Sequence, residues 1–283
     1  MVGISRNTQG IAALGLGLFV WLAVLAGMFA TPAFAVGGGT LGAATVSDEG
    51  RFVFAAADDA DGEISASPRV TTDARTMRVY QEAVIKLEGA TFKSSNAKVA
   101  SVSKSGLVKA KKQGKTTITA ANDSETYVLT LTVKKSKFKP VPMKKLKRYR
   151  YFLQFMSKAQ LKKAYKKALK IVRPLGDLNK KDRLMGVAMR LREYFDRYMS
   201  YSMTAKHYGD PYGYFIKKKA SCAGCARATG LCLNILGINY EHVNENKNMH
   251  QWARVKVGKK RWICDAYGLY CGPEPGKRKH PYL

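Results

Sequence analysis

A thiol, an imidazole and a carboxylate follow one another in the second half of the chain, as Cys222, His250 and Asp265. A cysteine becomes a strong nucleophile when a base takes its proton, and the base works best when an acid orients it. The chemistry open to this set is acyl transfer through a thioester. Two alternatives use the same cysteine differently. Cys222 and Cys225 have the Cys-x-x-Cys spacing of a zinc site, with Cys232, His242, Cys264 or Cys271 to complete it, although no second Cys-x-x-Cys exists. A disulfide between Cys222 and Cys225 would instead leave an inert scaffold.

Each of the three needs an element to hold it. Ser221 is a natural N-cap, the residues from Ala223 to Leu236 suit a helix, and Gly237 supplies a C-terminal stop. Cys222 then lies in the first helical turn, where unpaired N–H groups and the positive end of the helix dipole lower a thiol pKa. Residues 250–257 and 260–265 read as two strands joined by Gly258-Lys259, with glycine where a type II′ turn needs it. That turn pairs Val257 with Lys260, Val255 with Trp262 and Ala253 with Cys264, a mostly apolar face. His250, Trp252, Arg254, Lys256, Arg261, Ile263 and Asp265 take the other face. His250 and Asp265 become diagonal neighbours, about 7 Å apart at the backbone. A slip of one residue would part them. The apolar pairing and the proposed chemistry therefore select the same register.

Asp210-Pro211-Tyr212-Gly213-Tyr214-Phe215-Ile216, Cys222-Ala223-Gly224-Cys225-Ala226, Leu236-Gly237-Ile238, His250-Gln251-Trp252 and Trp262-Ile263-Cys264-Asp265 resemble the transglutaminase-like (transglutaminase/protease) superfamily. The resemblance covers about the last half of the chain. It implies Cys222 as nucleophile, His250 as base and Asp265 as the orienting acid. This chain departs from the family at Cys225, where an aromatic often stands, and at Ala266-Tyr267, in place of Pro-Thr. Tyr214 and Trp252 are candidates for the substrate cleft. Tyr214 is also a candidate second oxyanion donor beside the backbone N–H of Cys222.

The 283 residues, 46% of them hydrophobic, suffice for two modest domains. The formal net charge of +29 favours polyanionic neighbours such as wall polymers or anionic lipid surfaces. Nucleic acid is not expected, because the start of the chain reads as an export signal. Arg6 precedes an apolar run from Ile11 to Ala30, and Thr31-Pro32-Ala33-Phe34-Ala35 ends in a cleavage pattern after Ala35. An uncleaved membrane anchor is the alternative. Residues 36–76, rich in Gly, Ala, Ser, Thr and Asp, read as a flexible linker with a stray strand at Arg51-Phe52-Val53-Phe54.

Residues 77–135 carry short alternating runs separated by Gly, Asn, Ser and Lys clusters, the pattern of a β-sandwich. Ser94-Ser95-Asn96-Ala97-Lys98-Val99, Gly106-Leu107-Val108-Lys109-Ala110 and Gly114-Lys115-Thr116-Thr117-Ile118 resemble the bacterial Ig-like domain of group 2. That resemblance implies a surface spacer or adhesion module. Residues 136–152 read as a basic linker, either solvated or clamped to an anionic surface. The last unit is 153–283. In it Ser157 caps a helix carrying Leu161, Ala164, Ala168 and Val172, and a second helix runs from Asp182 to Tyr198. His207 reads as an exposed loop histidine, and the residues from Gly272 to His280 as an irregular tail. All five cysteines follow residue 220, and an odd count leaves at least one thiol free in an exported protein.

The expectation is a multidomain protein, an all-β Ig-like sandwich followed by an α+β papain/transglutaminase-like domain. Its function would be that of an exported cell-surface or wall-associated cysteine enzyme, a peptidase or amidase, or a protein cross-linker. It would act on a protein or peptide substrate without cofactor or metal. An anionic cell-wall polymer or other surface component is a further candidate partner. The alternative is a non-catalytic wall- or surface-binding protein built on an inert transglutaminase-like scaffold.

Overall fold

Alternation of apolar and polar residues builds the first domain. A computed structural model describes residues 45–46, 52–55, 69–245, 250–275 and 280–281. Its strands are β1 (Thr45–Val46), β2 (Phe52–Ala55), β3 (Arg69–Arg78), β4 (Glu82–Lys86), β5 (Thr91–Ser94), β6 (Ala100–Val102), β7 (Leu107–Ala110), β8 (Gly114–Ala121) and β9 (Glu125–Lys134). They form two sheets, ordered β1-β2-β4-β7-β6 and β3-β9-β8-β5. Every second residue of β9 from Tyr127 to Val133 is buried, and these side chains share one core with Ala83, Ile85 and Val108 of the other sheet.

Part of the expected linker over residues 36–76 is strand. β3 begins at Arg69 and pairs in parallel with β9, and Phe52–Ala55 pairs in parallel with β4. Polar side chains masked the alternation in β3. Its half-buried positions include Thr71, Asp73 and Arg75, and Asp73 is held by the Tyr127 hydroxyl at 3.0 Å and by Arg75 at 2.7 Å. The expected export signal lies outside the described residues. Among the described residues no helix is long and apolar enough to cross a membrane.

The second domain mixes helices with a short sheet. Its elements are α1 (Tyr149–Leu153), α2 (Lys158–Val172), α3 (Lys180–Tyr198), β10 (Ser200–Tyr201), β11 (Lys219–Ala220), α4 (Cys222–Ile235), β12 (Glu241–Glu245), β13 (His250–Val257), β14 (Lys260–Asp265) and β15 (Tyr270–Pro273). Ser157 and Gln160 start α2 with a reciprocal capping box, and the Asn179 side chain accepts the Asp182 N–H to start α3. α4 is apolar or small on every side, and Arg227 is its one residue that is not buried. It packs against α2, α3 and the antiparallel sheet β12-β13-β14-β15. Gly230 makes one of these contacts possible, since a Cβ there would lie 1.9 Å from the Tyr240 ring.

The basic stretch 136–152 is not a solvated linker. The Val141 N–H donates to Ile235 O at 2.9 Å, the Arg148 N–H donates to Asn234 Oδ1 at 3.1 Å, and Leu146 and Phe152 are buried. Its apolar residues strap it to the domain while its lysines stay outside. A buried ion pair joins the two domains, with Arg190 of α3 donating to Glu82 of β4 at 2.8 Å.

Candidate active site

The helix start behaves as expected in position and differs in one contact. Ser221 is extended, and Cys222 opens α4. The Ser221 hydroxyl is buried and makes no capping bond. No side-chain cap therefore satisfies the first-turn N–H groups, and the Ala223 N–H reaches the Cys222 sulfur. The approach to Cys222 is fixed by β10 and β11, which pair in parallel with Tyr201 opposite Ala220. The Ser221 N–H also donates to Tyr208 O at 2.9 Å. Gly224 lets that loop come close, because a Cβ there would lie 2.3 Å from Tyr208 O.

The hairpin has the expected register. Val257 faces Lys260, Val255 faces Trp262 and Ala253 faces Cys264, and Gly258 at the turn has φ +59°. The diagonal pair closes into a hydrogen bond, with His250 Nε2 2.6 Å from Asp265 Oδ2. With Nε2 engaged by the acid, Nδ1 is the ring nitrogen available to the thiol, and His250 and Cys222 are hydrogen-bonded. Asp265 is almost fully buried. Its other oxygen accepts the Tyr267 N–H at 3.1 Å, and the Gly268 N–H also points at the carboxylate.

Each of the three groups is shifted by its neighbours. Burial pushes the Cys222 thiol up, but the His250 hydrogen bond and charge, with the N–H groups of Gln251 and Ala223, bring it below the ordinary thiol value. Burial pushes His250 down, and hydrogen bonds to Asp265 and Cys222 outweigh it, raising the imidazole to about 9. Burial also opposes the Asp265 charge, yet His250 and His280 hold the carboxyl below its usual range. Cys225 differs from Cys222. Burial pushes its thiol well above the ordinary value, and none of the five cysteines is in a disulfide. Cys264 points into the core, as expected, and sits opposite Cys271 on β15.

Four sequence expectations need correction. Tyr214 does not line a cleft: it is 1% exposed and its hydroxyl donates to Leu191 O. It lies in a single π turn, Gly213–Lys217, that packs into the core. Trp252 is also fully buried, and its ring stacks behind His250 with centroids 5.9 Å apart. His207 is not an exposed loop residue, because its Nδ1 lies 2.7 Å from Asp210 Oδ2 and its Nε2 lies 3.1 Å from Gln160 Nε2. The tail is not idle either. His280 is 1% exposed, with Nε2 3.1 Å from Asp265 Oδ2 and its ring 5.1 Å from that of Trp252.

Other walls take the place of Tyr214 and Trp252. Tyr201 is half-exposed, hydrogen-bonds with Cys222 and stacks on Tyr267 at 5.3 Å. On another side, a cavity of about 480 Å³ is lined by Phe155, Tyr208, Arg227, Ala223 and Gln251, the last two adjoining Cys222 and His250 in sequence. The ligand atoms of His250, Asp265 and His280 lie within 4.8 Å of one another, a set of metal-ligating type. Within that set both Nε2 atoms meet the same oxygen, Asp265 Oδ2.

A β-sandwich joined to a mixed helix and strand domain with a Cys-His-Asp constellation is thus the class that fold and site define. Residues 71–133 match the bacterial Ig-like domain (group 2) family. The same comparison found no transglutaminase-like domain in the chain. A search of curated proteins found no match.

Proposed function

We propose that the C-terminal domain is a transglutaminase-like cysteine enzyme catalysing acyl transfer, carried on an Ig-like module of an exported surface or wall-associated protein. The observation that carries this reading is the His250–Asp265 hydrogen bond of 2.6 Å formed beside a thiol at a helix start. In the resting site Cys222 has passed its proton to His250, and Asp265 Oδ2 steadies the imidazolium. The thiolate attacks a peptide or carboxamide carbonyl, and the new C–S bond places negative charge on the carbonyl oxygen. The Cys222 backbone N–H faces that oxyanion. As the C–N bond breaks, His250 returns the proton to the leaving nitrogen, and a thioester remains. His250 then takes a proton from the incoming acceptor, which releases the acyl group and restores Cys222.

Water as acceptor gives hydrolysis, and an amine gives cross-linking. Water is present at about 55 M and needs no dedicated site, so peptidase or amidase action is the simpler outcome. The departure at Cys225 is compatible with this reading, since that side chain is 2% exposed and faces the core rather than substrate.

The test is the pH dependence of Cys222 alkylation, read by mass spectrometry, in the wild type and in His250→Ala. Fast labelling well below pH 7 that slows in the variant supports the reading. Labelling that rises only near pH 8.5, the value of an ordinary thiol, overturns it.

A further inference from the structure

A groove lies between the two domains, away from Cys222. One wall is the β3–β4 turn and β7 of the Ig-like domain, and the other is the C-terminal end of α2 with the turn that follows. The cavity has about 590 Å³, and Lys109, Lys111, Lys166, Lys170 and Arg173 line it together with one acid, Glu82. That acid is already engaged by Lys109 at 3.2 Å and Arg190 at 2.8 Å. The Arg173 guanidinium lies 4.8 Å from the centre of the Tyr80 ring, so an aromatic face sits among the cations.

The cationic lining continues along α2. The helix carries Lys158, Lys162, Lys163, Lys166, Lys167 and Lys170 and no acid. Lysines one turn apart repel each other. The helix dipole favours cations at the last turn, which accounts for Lys170 alone. A second depression lined by Lys163, Lys166, Lys167 and Lys170 prolongs the groove. Beside it the Lys218 ammonium is pulled down by burial and then by the Lys167 charge.

We propose that this groove and the adjoining face of α2 bind a linear, phosphate-bearing polyanion. Closely spaced phosphates would take the place of the acids that α2 lacks. The Tyr80 ring and the Leu169 side chain offer apolar contact to the units between phosphates. A soluble chain fits better than a membrane, because the cations line a concave cleft with Glu82 among them, whereas a bilayer presents a flat plane. This inference is independent of the thiol chemistry.

The experiment titrates the full chain with inorganic polyphosphate, and separately with phosphatidylglycerol vesicles, by fluorescence anisotropy over a range of salt. Lys111→Gln/Lys166→Gln/Lys170→Gln is compared with Lys144→Gln/Lys145→Gln/Lys147→Gln, which removes the same charge from another exposed stretch. The groove variant should bind polyphosphate about tenfold more weakly and with a shallower salt slope, while the control stays within about threefold of wild type. If the triple variant misfolds, Arg173→Gln, which removes the contact with Tyr80, serves in its place. Equal losses in both variants mean diffuse charge and overturn the proposal. So does an absence of polyphosphate binding at low salt, or vesicle binding with the same variant dependence in place of polymer binding.

Discussion

His280 Nε2 lies 3.1 Å from Asp265 Oδ2, the oxygen that also meets His250 Nε2 at 2.6 Å. One carboxylate oxygen thus joins two histidines, one from the hairpin and one from the tail. His280 acts through Asp265 in the proposed chemistry, so it is a positioning residue. Its replacement by Ala should lower kcat/KM roughly tenfold, about 1.4 kcal/mol of transition-state stabilisation. His280→Gln, which keeps a donor, should recover part of the loss. The distinguishing readout is the pH profile of Cys222 alkylation, which should move toward that of His250→Ala. An unchanged profile would leave His280 a packing residue.

The proposed Cys222–His250 ion pair would set two limits on pH. Activity should rise with a limb below the ordinary thiol range and fall again near pH 9, where His250 loses its proton. The same shift governs stability. His250 is raised from an unfolded value of 6.5 to about 9, so its contribution is fully present below 6.5 and fades as pH climbs through about 9. The difference in Tm between wild type and His250→Ala should therefore shrink across that window. A constant difference would contradict the raised imidazole.

Gly268 has no room for a side chain. A Cβ there would lie 2.3 Å from Asp265 Oδ2 and 3.3 Å from His250 Nε2. Gly268→Ala should displace the acid and lower kcat/KM about a hundredfold, the scale of a 1 Å misplacement. Gly268 lies in the partly exposed turn after β14, so Tm should fall little. A large loss of Tm with unchanged activity would assign the glycine to folding alone.

Removing Arg190 would take from Glu82 the more buried of its two cations. The pair is nearly closed to solvent, at 8% and 11% exposure, with Lys109 as a third member. Arg190→Ala should destabilise the protein by about 3 kcal/mol, less whatever Lys109 retains. Urea unfolding followed by a probe in each domain should show the two transitions separating. Coincident transitions with unchanged midpoints would mean that the pair does not couple the domains.

The hairpin was legible because local chemistry determined it. Gly258 supplies the positive φ that the turn needs, and the Val255, Ala253 and Cys264 face could be buried only in one register. The helix that Cys222 opens was legible for the same kind of reason. Trp252 shows where such reasoning stops. Its place on the His250 face follows from strand alternation, but whether that face is open depends on what covers it. Tyr270 and His280 pack over it, and neither contact has a local signal. Tyr214 failed similarly: an aromatic just before the nucleophile reads as a cleft wall until α3 is seen to accept its hydroxyl bond. In β3 the half-buried side chains are polar, so composition resembled that of a linker.

The second histidine at Asp265 also bears on the order in which the site is assembled. In a chain made from its N-terminus Cys222 emerges before His250 and Asp265, and His280, the second histidine at that acid, follows all three. A nascent chain that has reached Asp265 but not residue 280 holds the thiol beside an acid with one histidine instead of two. Under the proposed thiol chemistry, full reactivity would wait for residue 280, and a chain that stops between Asp265 and that residue would be only partly armed.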